Sequence, residues 1–149
     1  MTGVRLVGRY CFRYFDLRAE QVVEGGSYEN VVCQNGKVVL ARWLNGENPS
    51  LGPVYGAVGT GVGTPAATDI ALFSELARVL LASNTRSSNV VTMDFFFNSS
   101  QANGTLTEAG LFLQAGSAAN SGQLLSHVLI SESKTSTMTM TMEFQLTLG

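Results

Sequence analysis

Met138-Thr139-Met140-Thr141-Met142-Glu143-Phe144-Gln145-Leu146-Thr147-Leu148 is the stretch that decides the fold. Its even-numbered residues are all apolar and its odd-numbered ones all polar. That period of two lays one side of a β-strand on a core and turns the other to water or to a neighbouring molecule. The opening segment, Val4 to Phe15, repeats the pattern. Val4, Leu6, Tyr10, Phe12 and Tyr14 share one side, whereas Arg5, Arg9 and Arg13 share the other with Val7, Cys11 and Phe15. Val90 to Asn98 places Val91, Met93, Phe95 and Phe97 together in the same way.

Between these segments lie shorter ones. Gln21 to Glu24 and Ser27 to Val32 read as two short strands around the Gly25-Gly26 turn, and Asn35-Gly36 as a second turn. Val54 to Val58, Thr105 to Leu113 and Gln123 to Ile130 read as further strands, with Ser131 to Lys134 turning the chain. Two stretches have helical spacing. Lys37 to Leu44 groups Val39, Leu40, Trp43 and Leu44 and is closed by Asn45-Gly46. Ile70 to Ala82 groups Leu72, Leu76, Val79 and Leu80, with Thr68 or Asp69 as its cap. The loops are Gly46 to Pro53, Gly59 to Pro65, Ser99 to Gly104 and Gln114 to Gly122. The fold class is therefore mainly β, an antiparallel β-sandwich or barrel, jelly-roll-like, with two inserted helices. The 149 residues form one domain over 1–149.

Only 13 % of the residues are charged, against roughly 25 % in soluble domains. A surface this poor in ions is cheap to desolvate and suits contact with other subunits, including copies of the same chain. The net charge of −2 gives no electrostatic reason to expect nucleic acid or anionic membrane as a partner. Met1-Thr2-Gly3-Val4-Arg5 lacks the apolar stretch of a secretory signal, and Cys11 and Cys33 lack metal-ligand spacing. Both cysteines read as core thiols in a chain made in a reducing cytoplasm, with a single bridge between them left open.

Catalytic patterns are weak. Gly59-Thr60-Gly61-Val62-Gly63 stands where phosphate loops stand, but its spacing differs from theirs, no lysine follows, and Pro65 removes an amide donor. A flexible or sharply folded strand-to-helix connection is favoured. His127, the only histidine, lies among Leu125, Val128 and Leu129 and reads as a hydrogen-bonded sheet residue. No nucleophile elbow is present, and the acidic residues are scattered. Asn98-Ser99-Ser100 and Asn103-Gly104-Thr105 read as turn chemistry. No catalytic, cofactor or metal site is expected. Arg5, Arg9 and Arg13 are the candidate subunit-contact residues, spaced roughly 13 Å apart along one strand face. Their alternative role is to blunt an edge strand against stray pairing.

From Asn30 onward, the order of features resembles that of small accessory proteins of tailed-phage particles. The elements carrying the likeness are Asn30-Val31-Val32, Asn35-Gly36, the short helix with Ala41 and Leu44, Gly46, Tyr55-Gly56-Ala57-Val58-Gly59-Thr60-Gly61, Pro65-Ala66-Ala67-Thr68-Asp69, the helix with Leu72, Glu75 and Arg78, Thr107-Glu108-Ala109-Gly110-Leu111-Phe112, Leu124 to Ile130 and Lys134-Thr135. The resemblance implies a virion structural subunit made in the host bacterial cytoplasm, with other virion proteins and itself as partners. A capsid decoration (cement) subunit is the first expectation, and a tail, baseplate or fibre-attachment component the alternative. A glycan- or receptor-binding module is the alternative of another class, suggested by Trp43, Tyr28 and Tyr55.

Overall fold

The computed structural model describes residues 5–47 and 50–149. The expected roles of Val4 and of positions 48 and 49 in their segments lie outside the described residues. The strands are β1 (Leu6–Asp16), β2 (Gln21–Glu29), β3 (Val31–Val32), β4 (Tyr55–Gly59), β5 (Glu75–Leu80), β6 (Ser83–Ser87), β7 (Val90–Phe97), β8 (Gly104–Leu113), β9 (Gln123–Lys134) and β10 (Met138–Leu148), with one helix, α1 (Gln34–Leu44), after β3. They form two five-stranded sheets with antiparallel neighbours. The first has the order β2-β1-β10-β7-β6 and the second β3-β9-β8-β4-β5. The sheets stay open, so the sandwich alternative holds and the barrel does not.

The expected two-sidedness of β10 fixes the first sheet. Its in-register partners place Phe144 beside Tyr10 of β1 and Met93 of β7, and Met142 beside Phe12 and Phe95. These residues meet Leu106, Ala109, Leu111 and Val128 of the second sheet in one continuous core. The opposite sides of β1, β10 and β7 face outward. A smaller core of Cys33, Ala57, Leu72, Phe112, Ala115 and Leu124 covers part of the second sheet.

Several expectations are corrected. The helix over 70–82 is absent. Residues 60–74 run as a loop across the outer side of the second sheet and lead into β5, and β6 begins at Ser83. Ala77 and Val79 pack on the main core, so a period of two inside this stretch prevails once β4 supplies a hydrogen-bonding partner. Gly25-Gly26 does not turn the chain; β2 runs through it beside a register shift against β1. A Cβ on either glycine would collide with Glu132. Asn35-Gly36 lies inside α1, where the bare Gly36 Cα lets the helix rest on the Leu125 backbone. Gly46, at φ +77°, ends the helix as expected. Trp43 and Leu44, placed with the core by their spacing, are 45 % and 78 % exposed. Ser131 to Lys134 continues β9 rather than turning.

Candidate functional site

The outer side of the second sheet carries the densest polar chemistry. Glu108 points outward from β8, across from Gly59 of β4, and is fully buried beneath the glycine-rich loop. Its Oε1 accepts the Phe73 N–H at 2.7 Å and faces His127 Nε2 at 2.8 Å. Its Oε2 accepts the N–H groups of Gly61 at 2.9 Å and Ser74 at 2.7 Å. Backbone amides that in a phosphate loop would hold an external anion are here committed to an internal carboxylate. A Cβ at Gly61 would run into that carboxylate, which is why the loop can close only on glycine there.

His127, also fully buried, lies on β9 beside Gly110 of β8. Its Nδ1 faces Asp69 Oδ2 at 2.7 Å, and the Phe73 ring lies over it at 4.7 Å between centroids. Each ring nitrogen thus faces one carboxylate oxygen, and the tautomer sets which of the two contacts it donates. Asp69 in turn accepts the Ala66 N–H at 2.8 Å. The residue expected to cap a helix does satisfy a backbone amide, but inside the loop. Sequence reasoning placed His127 correctly as a hydrogen-bonded sheet residue and missed its two carboxylates. A usable signal was present: Glu108 is the one acid in the strand expected over Thr105 to Leu113, and a charged residue is buried only with dedicated partners.

A second buried pair closes the neighbouring loop. Arg78 grips Glu75 with Nε and Nη2 at 2.8 and 2.7 Å, and its Nη1 donates to the Gly116 and Ser121 carbonyls at 3.0 Å. Its guanidinium lies 4.5 Å from the Phe112 ring centroid. Two further ionisable groups point into the sandwich from the end of β9. Glu132 accepts from Tyr14 Oη at 2.6 Å, from Tyr28 Oη, and from the Gly26 N–H at 3.1 Å. Burial and that carboxylate push the Tyr14 and Tyr28 hydroxyls above their usual pKa. Beside them opens a cleft of about 230 Å³, with Tyr14, Val23 and Met138 as apolar wall and Asp16, Glu24 and Glu132 at its polar side.

Lys134 is 1 % exposed and donates to Asn103 Oδ1 at 2.8 Å. Burial lowers its ammonium below the ordinary lysine value. The folded chain therefore binds this proton less tightly than the unfolded chain does. The cost of the charge is full below the folded-state pKa and fades as pH climbs toward 10.5. Lys134→Met is expected to be at least as stable as the wild type near neutral pH. It should also lack the wild type's gain in stability between neutral pH and about pH 10, read by urea titration at both.

The arginines lie on one side of the first sheet, as expected. Arg9 and Arg13 project outward from β1, and Arg5, just before it, exchanges backbone hydrogen bonds with Gly149. Because β1 lies between β2 and β10, the edge-blunting role is excluded. Cys11 sits half-buried on this outer side and not in the core. Cys33 is buried, and both thiols are free. Burial, with the Asp69 charge nearby, pushes the Cys33 thiol up to about 12. Tyr28 and Tyr55 are half-buried against the cores. Asn98 accepts from the Ser100 N–H and Asn103 donates to the Ser99 carbonyl, the turn chemistry expected of them. Among the described residues, no three His, Cys, Asp or Glu side chains are placed to hold a metal ion, and no helix is long and apolar enough to cross a membrane. No family model, curated protein or solved structure matches the chain.

Proposed function

We propose that this chain is a non-enzymatic structural subunit of a tailed-phage particle, acting by packing against other virion proteins and against itself. A capsid decoration role is favoured over a tail or baseplate one, and the sandwich is read as jelly-roll-like. One observation carries the reading. The outer side of the first sheet is an open expanse, with Phe15 39 % and Phe96 49 % exposed among the threonines of β10 and the charged Arg9, Arg13, Asp94 and Glu143. Open apolar area framed by polar groups is characteristic of protein contact sites. The histidine and carboxylates that catalysis would require are meanwhile engaged with backbone amides and with each other. The particle context rests on the resemblance of the order of sequence features to accessory virion proteins.

The test is co-sedimentation of the purified chain with capsids and, separately, with tails, over a range of salt. Saturable binding to capsids supports decoration, and binding to tails alone moves the role there. No binding to either at any salt defeats the proposal. The cleft lined by Tyr14, Val23, Met138 and Glu132 favours a second reading, a module that binds a small polar ligand such as a glycan. A glycan array without hits removes it.

A further inference from the structure

On the outer side of the first sheet, Glu143 of β10 and Asp94 of β7 stand directly opposite each other. Like charges in that position repel. Glu143 is relieved, with Arg13 Nη2 at 3.6 Å and Gln145 Nε2 donating to it at 3.2 Å. Asp94 is not. Its Oδ2 has only a long bond from Ser83 Oγ at 3.4 Å, and its Oδ1 is buried without a partner. Arg9 and Arg13 sit on β1, two strands away, or roughly 10 Å. Their rows run to Thr92 and Phe96 on β7, through Gln145 and Thr141 of β10, and so bracket the row of Asp94.

This arrangement is complementary to itself. We propose that two copies of the chain stack their first sheets face to face about a two-fold axis running along β10, forming a homodimer. Such an axis lays β1 of one copy over β7 of the other without changing the height of any row. Each Asp94 then comes between the other copy's Arg9 and Arg13, and the other copy's Arg13 comes over the exposed Phe96 ring, a favourable seat for a guanidinium. Side chains from sheets packed about 10 Å apart span such a gap. The two Glu143 carboxylates approach near the axis, each held by Arg13 and Gln145 of its own chain. Arg5, beyond the end of β1, falls at the rim. A two-fold interface requires one patch to carry both halves of the match, and this face carries Arg9 and Arg13 on β1 offset from Asp94 on β7, with Glu29 and Glu24 of β2 standing opposite Arg9 and Arg13 on their other flank.

The inference rests on the packing role proposed above and names one partner for it. Sedimentation velocity should show a dimer for the wild type. Asp94→Arg alone, or Arg9→Asp with Arg13→Asp, should weaken it by at least about 30-fold, as expected for charge pairs desolvated at an interface. Mixing the two variants should restore a heterodimer, with unchanged far-ultraviolet circular dichroism showing that each is folded. A wild type that stays monomeric to several hundred micromolar overturns the proposal, as does a dimer that persists in both variants, which would place the contact at a strand edge. A monomer that still binds particles removes this dimer and leaves the virion role standing; a dimer that binds no particle does the reverse.

Discussion

Glu108→Ala is expected to destabilise the protein by about 3–5 kcal/mol and to open residues 59–74 to protease. Removing the carboxylate leaves the N–H groups of Gly61, Phe73 and Ser74 without their acceptor. Each buried donor so orphaned costs about 1–3 kcal/mol unless water reaches it. It also leaves His127 facing Asp69 alone, which strips one more buried polar group of a partner, a further cost of about 1–3 kcal/mol. Local opening lets water in and limits the total, which is why the loss should appear as a loop that frays before the sandwich melts. Urea titration gives the first quantity and the mapped sites of limited proteolysis the second. A variant as stable and as resistant as the wild type would show that the carboxylate is dispensable and that the small core around Leu72 holds the loop unaided.

Phe144→Ala should cost a comparable amount, about 3–5 kcal/mol, by a different route. The ring is fully buried between in-register Tyr10 and Met93, with its centroid 4.9 Å from that of Tyr10. Deleting it removes apolar burial and leaves a cavity that a sheet pinned on both sides cannot collapse into. Thr147→Ala, on the opposite side of the same strand, should stay within about 0.5 kcal/mol. Thermal or urea unfolding of the pair measures the difference between the two sides of β10 directly. Equal effects would mean that the alternating pattern does not report burial in this strand.

That pattern explains what was legible in the sequence. β1, β7 and β10 were readable because each has one side wholly in the core, so burial is written into their own residues. β5 was not. Leu72, Leu76, Val79 and Leu80 satisfy a helical period, and the competing alternation of Ala77 and Val79 gains its meaning only from β4, which lies elsewhere in the chain. The end of β9 was misread for a related reason. Ser131-Glu132-Ser133-Lys134 has the polarity of a turn, yet Glu132 and Lys134 point inward because Tyr14, Tyr28 and Asn103 supply their hydrogen bonds from distant segments. The clasp on the glycine-rich loop follows the same rule. Asp69 and His127 are unremarkable in their own stretches and Glu108 alone carries a hint, so only the fold brings the three together.

The pairing of β1 with β10, from Leu6↔Leu148 to Asp16↔Met138, joins the two ends of the described chain at the middle of a sheet. During synthesis, β1 leaves the ribosome long before its central neighbour exists, and its apolar flank must wait uncovered until residues 138–148 emerge. Chaperone dependence and a tendency of interrupted translation products to aggregate follow from that delay. Nascent chains stalled before residue 138 should therefore remain protease-sensitive throughout, and resistance acquired earlier would show that the second sheet can fold first and shelter the waiting strand.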